Sequence, residues 1–316
     1  LAAARSVARI QIRSSSGELL GYATGFLAGP GALMTNHHVF ESAAAARHSL
    51  ADFDYELDAA NRERKPAHFR LDPARLFYAN PKLDFAIVAV NPSSEDGRDL
   101  RQWSWLALNA QPGKSDVGEY LTIIQHPNGE RKQICVRENK FVKFTGDMMW
   151  YLADTLGGSS GSPVFNRFWQ VVALHHSGVP KTNKQNQWLT RTGDLWAPWM
   201  GDAAVDWIAN EGVRVSAIVA HLRQNMAAHP MVQAMLDTPA PPFEQAPPAA
   251  PDPSGRAPWI EDTGGAASLV VPLRIPLEVV RIQPPTAPPP AAPAILASLH
   301  PPYTPVEAVS IDQSTL

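Results

Sequence analysis

Asp154-Thr155-Leu156-Gly157-Gly158-Ser159-Ser160-Gly161-Ser162-Pro163 is the stretch whose reading decides the fold. It sets serine among glycines, after apolar Tyr151-Leu152 and before apolar Val164-Phe165, as expected of a nucleophile on a sharp turn between two strands. Glycine is used where backbone must take a positive φ or come close to a ligand. A site that holds an oxyanion needs both, because its donors are main-chain N–H groups aimed at one point. Taken alone, the run reads equally well as a serine-rich surface turn. A serine hydroxyl is a poor nucleophile at neutral pH, so the functional reading demands a base and a group to orient that base.

Two upstream stretches supply them. Leu33-Met34-Thr35-Asn36-His37-His38-Val39-Phe40 puts histidines at the end of an apolar run, and Leu83-Asp84-Phe85-Ala86-Ile87-Val88-Ala89-Val90 puts one carboxylate at the mouth of a hydrophobic strand. Either feature alone reads as packing or as a turn. Together they give the chain order His, Asp, Ser, which is that of chymotrypsin-type enzymes.

Thr-Asn-His-His-Val, Leu-Asp-Phe-Ala-Ile-Val and Gly-Ser-Ser-Gly-Ser-Pro resemble the three motif blocks of trypsin-like serine peptidases, most nearly the bacterial branch of V8-type glutamyl endopeptidases. The resemblance covers roughly residues 5–225. It implies a mainly all-β fold, a double six-stranded antiparallel β-barrel with a C-terminal helix. It also implies His38 as general base, Asp84 as its orienting carboxylate and Ser160 as nucleophile, with the N–H groups of Gly158 and Ser160 as oxyanion hole. His37 is left structural. The chain departs from trypsin at Ser159, where trypsin carries the aspartate that captures a newly cut N-terminus, so folding without zymogen cleavage is expected. It also lacks the family's frequent disulfides, having Cys135 alone.

For the substrate, the resemblance points two ways. Asp154 stands where trypsin keeps the aspartate that binds Lys or Arg. Thr155 and His175 match the Thr and His that V8-type enzymes use for a P1 glutamate. A charged or polar P1 residue is expected in either case, with His176, Ser177 and Gly178 pairing with the substrate as an added β-strand.

Composition narrows the alternatives. A 45% apolar content is ample for a core, and a net charge of −3 gives no electrostatic case for nucleic acid or an anionic membrane. No run of about 18 apolar residues exists to span a bilayer. One cysteine excludes an intramolecular disulfide framework. That, with a start too short and charged for a signal peptide, leans the localisation towards the cytoplasm. A chain beginning at Leu suggests a trimmed one. No cofactor is expected. A metal is not expected either, because the adjacent residues of His37-His38 and His175-His176 point to opposite faces of a strand.

Along the chain, short runs such as Val7–Ile12, Leu19–Leu27 and Ala32–Thr35, separated by Gly/Pro/Ser turns, read as antiparallel strands. Ser42–Arg47 reads as a helical turn and Asp52–Arg75 as polar and irregular. Further strands are expected over Tyr120–Gln125, Lys132–Val136, Lys140–Phe144, Met149–Ala153, Pro163–Phe165 and Gln170–His176. Asp202–Ile208 and Ser216–Arg223 carry apolar residues at helical spacing, with Asn210-Glu211-Gly212 as a break.

The peptidase domain is therefore expected over 1–225 and a Pro-rich extended tail over 226–316. About two-thirds of the 30 prolines fall after Thr238, a composition that favours polyproline conformations. Within the tail, the odd positions of 269–279 are all apolar and the prolines and charges fall on even ones, so 268–282 reads as an edge strand that docks on the barrel. The competing functional class is a catalytically silent, protease-shaped module that recruits partners through this tail.

Overall fold

The computed structural model describes residues 2–58, 60–136, 139–240, 259–262 and 267–270. The chain divides into two compact units, Leu1–Gln245 and Ala246–Leu316.

The first unit is built on two antiparallel sheets. The first sheet holds β1 (Val7–Arg13), β2 (Leu19–Gly29), β3 (Ala32–Thr35), β4 (Leu50–Phe53), β5 (Ala67–Arg70), β6 (Phe77–Asn80) and β7 (Phe85–Ala89). Their order is β5-β4-β1-β2-β3-β7-β6. The second holds β8 (Thr122–Gln125), β9 (Gln133–Cys135), β10 (Phe141–Thr145), β11 (Met148–Tyr151), β12 (Pro163–Phe165), β13 (Val171–Pro180) and β14 (Trp207–Arg214), in the order β10-β11-β14-β13-β12-β8-β9. The all-β class and the two-sheet plan are as expected. Each sheet has seven strands rather than six.

β7 shows why its sequence is apolar throughout. Alternate side chains of a strand point to opposite faces. Phe85, Ile87 and Ala89 join a core that also contains Ile124, Phe165, Leu174 and Val213 of the second sheet, while Ala86 and Val88 join a separate core with Phe53, Phe69 and Trp103. A strand buried on both faces has no position for a polar residue until it ends, and Asp84 sits at that end.

Three expectations are corrected. Asp52–Arg75 is not irregular throughout, since β4 and β5 pair there with Asp52 opposite His68. Its run 61–65 is exposed, but Asp52 is internal to the fold and accepts hydrogen bonds from Arg9, Gln11 and His68. A buried carboxylate is tolerated when it is paired and hydrogen-bonded. Asp202–Ile208 is not a helix. Asp202–Ala204 makes one 3-10 turn and Trp207 begins β14, so Asn210-Glu211-Gly212 lies mid-strand, with Asn210 opposite both Tyr151 and Gly178. Two apolar residues at a spacing of three were too few to separate helix from strand.

The third correction concerns the boundary at 225. Of the helices α1 (Ala43–Arg47), α2 (Val215–Asn225) and α3 (Pro230–Asp237), α2 buries Ile218, Val219 and Leu222 in the core between the sheets, and α3 adds Val232 and Met235 to the same core. The unit therefore extends beyond α2. In the second unit, β15 (Trp259–Asp262) pairs antiparallel with β16 (Ala267–Val270). The expected continuation of that strand to 282 lies outside the described residues.

Candidate active site

The His38 turn and the mouth of β7 are brought together by the β3–β7 ladder, which pairs Thr35 with Ala86. Asn36 Nδ2 donates to the carbonyl of Asp84 at 2.9 Å, and the His38 main-chain N–H donates to Asp84 Oδ1 at 3.0 Å. Asp84 itself has φ +39°, a left-handed conformation that a non-glycine residue adopts at a cost of about 1 kcal/mol or more. These bonds hold it there.

The side chains meet directly. His38 Nδ1 lies 2.8 Å from Asp84 Oδ2. An ionised carboxylate only accepts, so Nδ1 carries the proton and Nε2 is left as the basic nitrogen. Burial pushes the Asp84 carboxyl up, but hydrogen bonds from His176 and His38 outweigh it and hold it well below the usual carboxylate range.

Ser160 lies on the turn that leads into β12 of the second sheet. Its carbonyl accepts from Thr24 N at 2.9 Å, and Gly161 N donates to the His175 carbonyl at 2.9 Å. Thr24 is in turn tied to Thr35, three residues before His38, through Thr35 Oγ1 at 2.8 Å. The nucleophile turn is thus clamped between β2 and β13. Among the described residues the Ser160 hydroxyl makes no hydrogen bond, to His38 or to any other group.

Gly158 has φ +88°, and a Cβ there would come within 2.8 Å of the His126 carbonyl. Asn128 N takes the Gly157 carbonyl at 2.5 Å, and Ser159 N and Ser159 Oγ both bond Leu156. These contacts turn the neighbouring carbonyls away. Among the described residues neither Gly158 N nor Ser160 N donates to a protein acceptor, which leaves both available to an oxyanion.

Gly161, at φ +87°, faces Thr24 O and Thr35 Oγ1 so closely that any Cβ would collide with both. Gly161→Ala is expected to cost more than about 2 kcal/mol in urea unfolding, through strain and the displaced clamp. A cost under about 0.5 kcal/mol would contradict this packing.

The remaining predicted residues separate. Asp154 is exposed, and its carbonyl takes Gln125 Nε2. Thr155 Oγ1 donates to Asn210 Oδ1 at 2.5 Å, and Asn210 Nδ2 donates to the Ala153 carbonyl at 2.7 Å. His175 is buried with Nδ1 at 2.7 Å from the Tyr151 hydroxyl, and burial pulls its pKa down to about 3. Tyr151 is fully buried. If its hydroxyl donates to Nδ1, no buried O–H is left without an acceptor, and the His175 proton then sits on Nε2. Past Leu174, β13 stays paired with β14 but no longer with β12, which leaves one edge of His176, Ser177 and Gly178 without a strand neighbour among the described residues.

His176 departs from the expectation that it serves only the substrate. Its Nδ1 lies 3.0 Å from Asp84 Oδ2 and its Nε2 3.0 Å from Glu211 Oε1. Glu211 Oε2 also accepts from Trp150 Nε1 at 2.6 Å. Burial pushes the His176 ring down, but the two carboxylates outweigh it and raise its pKa to about 9. Glu211 and Asn210 were missed in the sequence because they were read as a helix break.

These shifts fix a pH dependence of stability. A histidine with a raised folded pKa stabilises fully below its unfolded value of about 6.5 and loses that contribution as pH rises to about 9. His175 and His126, buried and pulled to about 3, destabilise increasingly as pH falls below about 6.5. Melting temperature measured from pH 4 to 8 is therefore expected to peak near pH 6.5, and a monotonic profile would contradict it.

Residues 23–174, the span from β2 through the nucleophile turn into β13, match the trypsin-like peptidase domain model. Over that span the chain is similar to trypsin-like peptidases. Among curated relatives, uncharacterized protein y4fB of Sinorhizobium fredii is 42% identical over 245 residues, which cover 72% of this chain and 37% of that protein. Secreted RxLR effector protein 73 of Plasmopara viticola is 33% identical over 199 residues, 57% of this chain and 47% of that protein. A glutamyl endopeptidase of Staphylococcus aureus is 28% identical over 176 residues, 55% of this chain and 51% of that enzyme. The chain spans about half the length of these relatives or less. Within that span His38 and Asp84 are in contact, and the turn of Ser160 is anchored to Thr24 and His175.

Proposed function

We propose that this chain is a serine endopeptidase that cleaves after acidic residues by way of an acyl-enzyme. The observation that carries the reading is the His38–Asp84 contact through Nδ1, which frees Nε2 to serve as the base for Ser160. His38 takes the Ser160 proton as the oxygen attacks the scissile carbonyl, and returns it to the leaving amine. Asp84 fixes the tautomer and offsets the positive charge that forms on the ring. Gly158 N and Ser160 N receive the oxyanion, each worth roughly 3 kcal/mol to the transition state. Water then releases the acid product. The substrate backbone lies along the open edge of β13 at His176–Gly178 as an added strand.

Three features support an acidic P1. Thr155 bonds Asn210, whose strand partner Tyr151 bonds His175, whereas Asp154 is exposed. The negative charge of Glu211 is already engaged by His176. A glutamyl endopeptidase is among the relatives. A P1 carboxylate would meet the His175 Nε2–H and compete with Asn210 for the Thr155 hydroxyl. Thr155→Val is then expected to lower kcat/KM for glutamate-P1 peptides by about 10- to 100-fold, the scale of one hydrogen bond to a charged group, and to affect apolar-P1 peptides less.

Digestion of a peptide library, read by mass spectrometry, tests the reading. Wild type is expected to cleave after Glu, and Ser160→Ala to leave the library intact. Cleavage after Lys or Arg would move specificity to Asp154. No cleavage, or cleavage that survives Ser160→Ala, would overturn the peptidase reading.

A further inference from the structure

His176 has an ionised carboxylate on each ring nitrogen, Asp84 on Nδ1 and Glu211 on Nε2. Carboxylates in that state only accept, so the ring can satisfy both contacts only by donating from both nitrogens. It is then an imidazolium by geometry. The Ser177 hydroxyl, 3.4 Å from Nε2, adds only a long contact. Trp150 steadies the far carboxylate from β11, and its Nε1–H leaves Glu211 Oε1 to the histidine.

We propose that His176 is a positioning residue of the peptidase site assigned above, a resident cation that holds Asp84 in place and sets how far into acid the site works. The inference rests on that assignment. His38 and His176 share one oxygen, Asp84 Oδ2, at 2.8 and 3.0 Å. Their Nδ1 atoms therefore lie no more than about 6 Å apart, close enough for two cations to repel by more than a pH unit at the dielectric of a protein surface.

The His38 ring thus faces, across the shared oxygen, a charge already present. The opposing charges are those of Asp84 and Glu211. His175, the neighbour on β13, is kept neutral by burial. The two carboxylates would repel each other without the ring between them, so the same cation holds Asp84 on the His38 side. The ring keeps its charge up to about pH 9, across the range in which a histidine base operates.

The test follows the rate at which a fluorophosphonate probe labels Ser160, from pH 4.5 to 9, in wild type, His176→Ser and Glu211→Gln. His176→Ser keeps a hydroxyl donor but removes the charge. It is expected to move the acid-side midpoint of labelling up by about one pH unit, as is expected when one cation at this range is lost. A midpoint within roughly 0.2 units of wild type, the reading error, overturns the proposal.

Nitrogen-15 spectra of the histidine rings in wild type give a second readout that does not depend on activity or on the variants folding. Both His176 nitrogens are expected to be protonated at pH 7 and to titrate near 9, and Glu211→Gln to bring that titration down. A singly protonated ring at pH 7 overturns the proposal. Failure of wild type to label at any pH overturns the peptidase assignment instead, and the ring titration then decides on its own whether His176 is the cation.

Discussion

Replacing His38 with alanine is expected to slow peptide hydrolysis about 10⁶-fold in kcat, the scale reached when one member of a set that acts as a unit is removed. The geometry leaves no substitute base. His176, the next imidazole, has both nitrogens committed to Asp84 and Glu211, and His175 is buried against Tyr151. KM should change little, because His38 bonds Asp84 and makes no hydrogen bond to Thr155 or His175 among the described residues. Steady-state kinetics on a peptide that wild type cleaves, with a melting curve to show that the variant folds, checks both numbers. A folded variant within about 100-fold of wild type would mean that another group takes the Ser160 proton.

Asp84→Asn is expected to cost about 10⁴-fold in kcat while the fold survives. Asparagine tolerates the left-handed φ of +39° found at this position, so the backbone need not move. The amide oxygen can still accept from the His38 main-chain N–H, the bond made now by Asp84 Oδ1. The amide nitrogen then replaces Oδ2, and a donor faces His38 Nδ1. To accept it the ring must carry its proton on Nε2, the wrong tautomer for a base. His176, with one carboxylate partner gone, loses its tie to the site as well. A loss below about 100-fold, measured on the same peptide, would show that Asp84 does not set the tautomer.

How much of this was legible in the sequence depended on whether the reason was local. β7 could be read because burial on both faces makes every residue from Phe85 to Ala89 apolar. His38 and Asp84 could be read only together, because each alone reads as packing or a turn while the order His, Asp, Ser gives both a use, and the two are in contact. β4 and β5 could not, because Asp52 and His68 look like surface residues until Arg9 and Gln11, more than forty positions away, are seen to satisfy the buried carboxylate. Glu211 was hidden for the same reason. In sequence, Asn210-Glu211-Gly212 reads as a break. In the fold, pairing with β11 and β13 makes it the central part of a strand and brings Glu211 to the imidazole of His176.

The central claim is that the oxygen of Ser160 attacks with His38 as its base. Incubation with a fluorophosphonate, followed by proteolytic mapping and mass spectrometry, reads this directly. A single adduct on Ser160 in wild type, absent from His38→Ala over the same time, is the predicted result. An adduct on another residue, or undiminished labelling of Ser160 without His38, would contradict it.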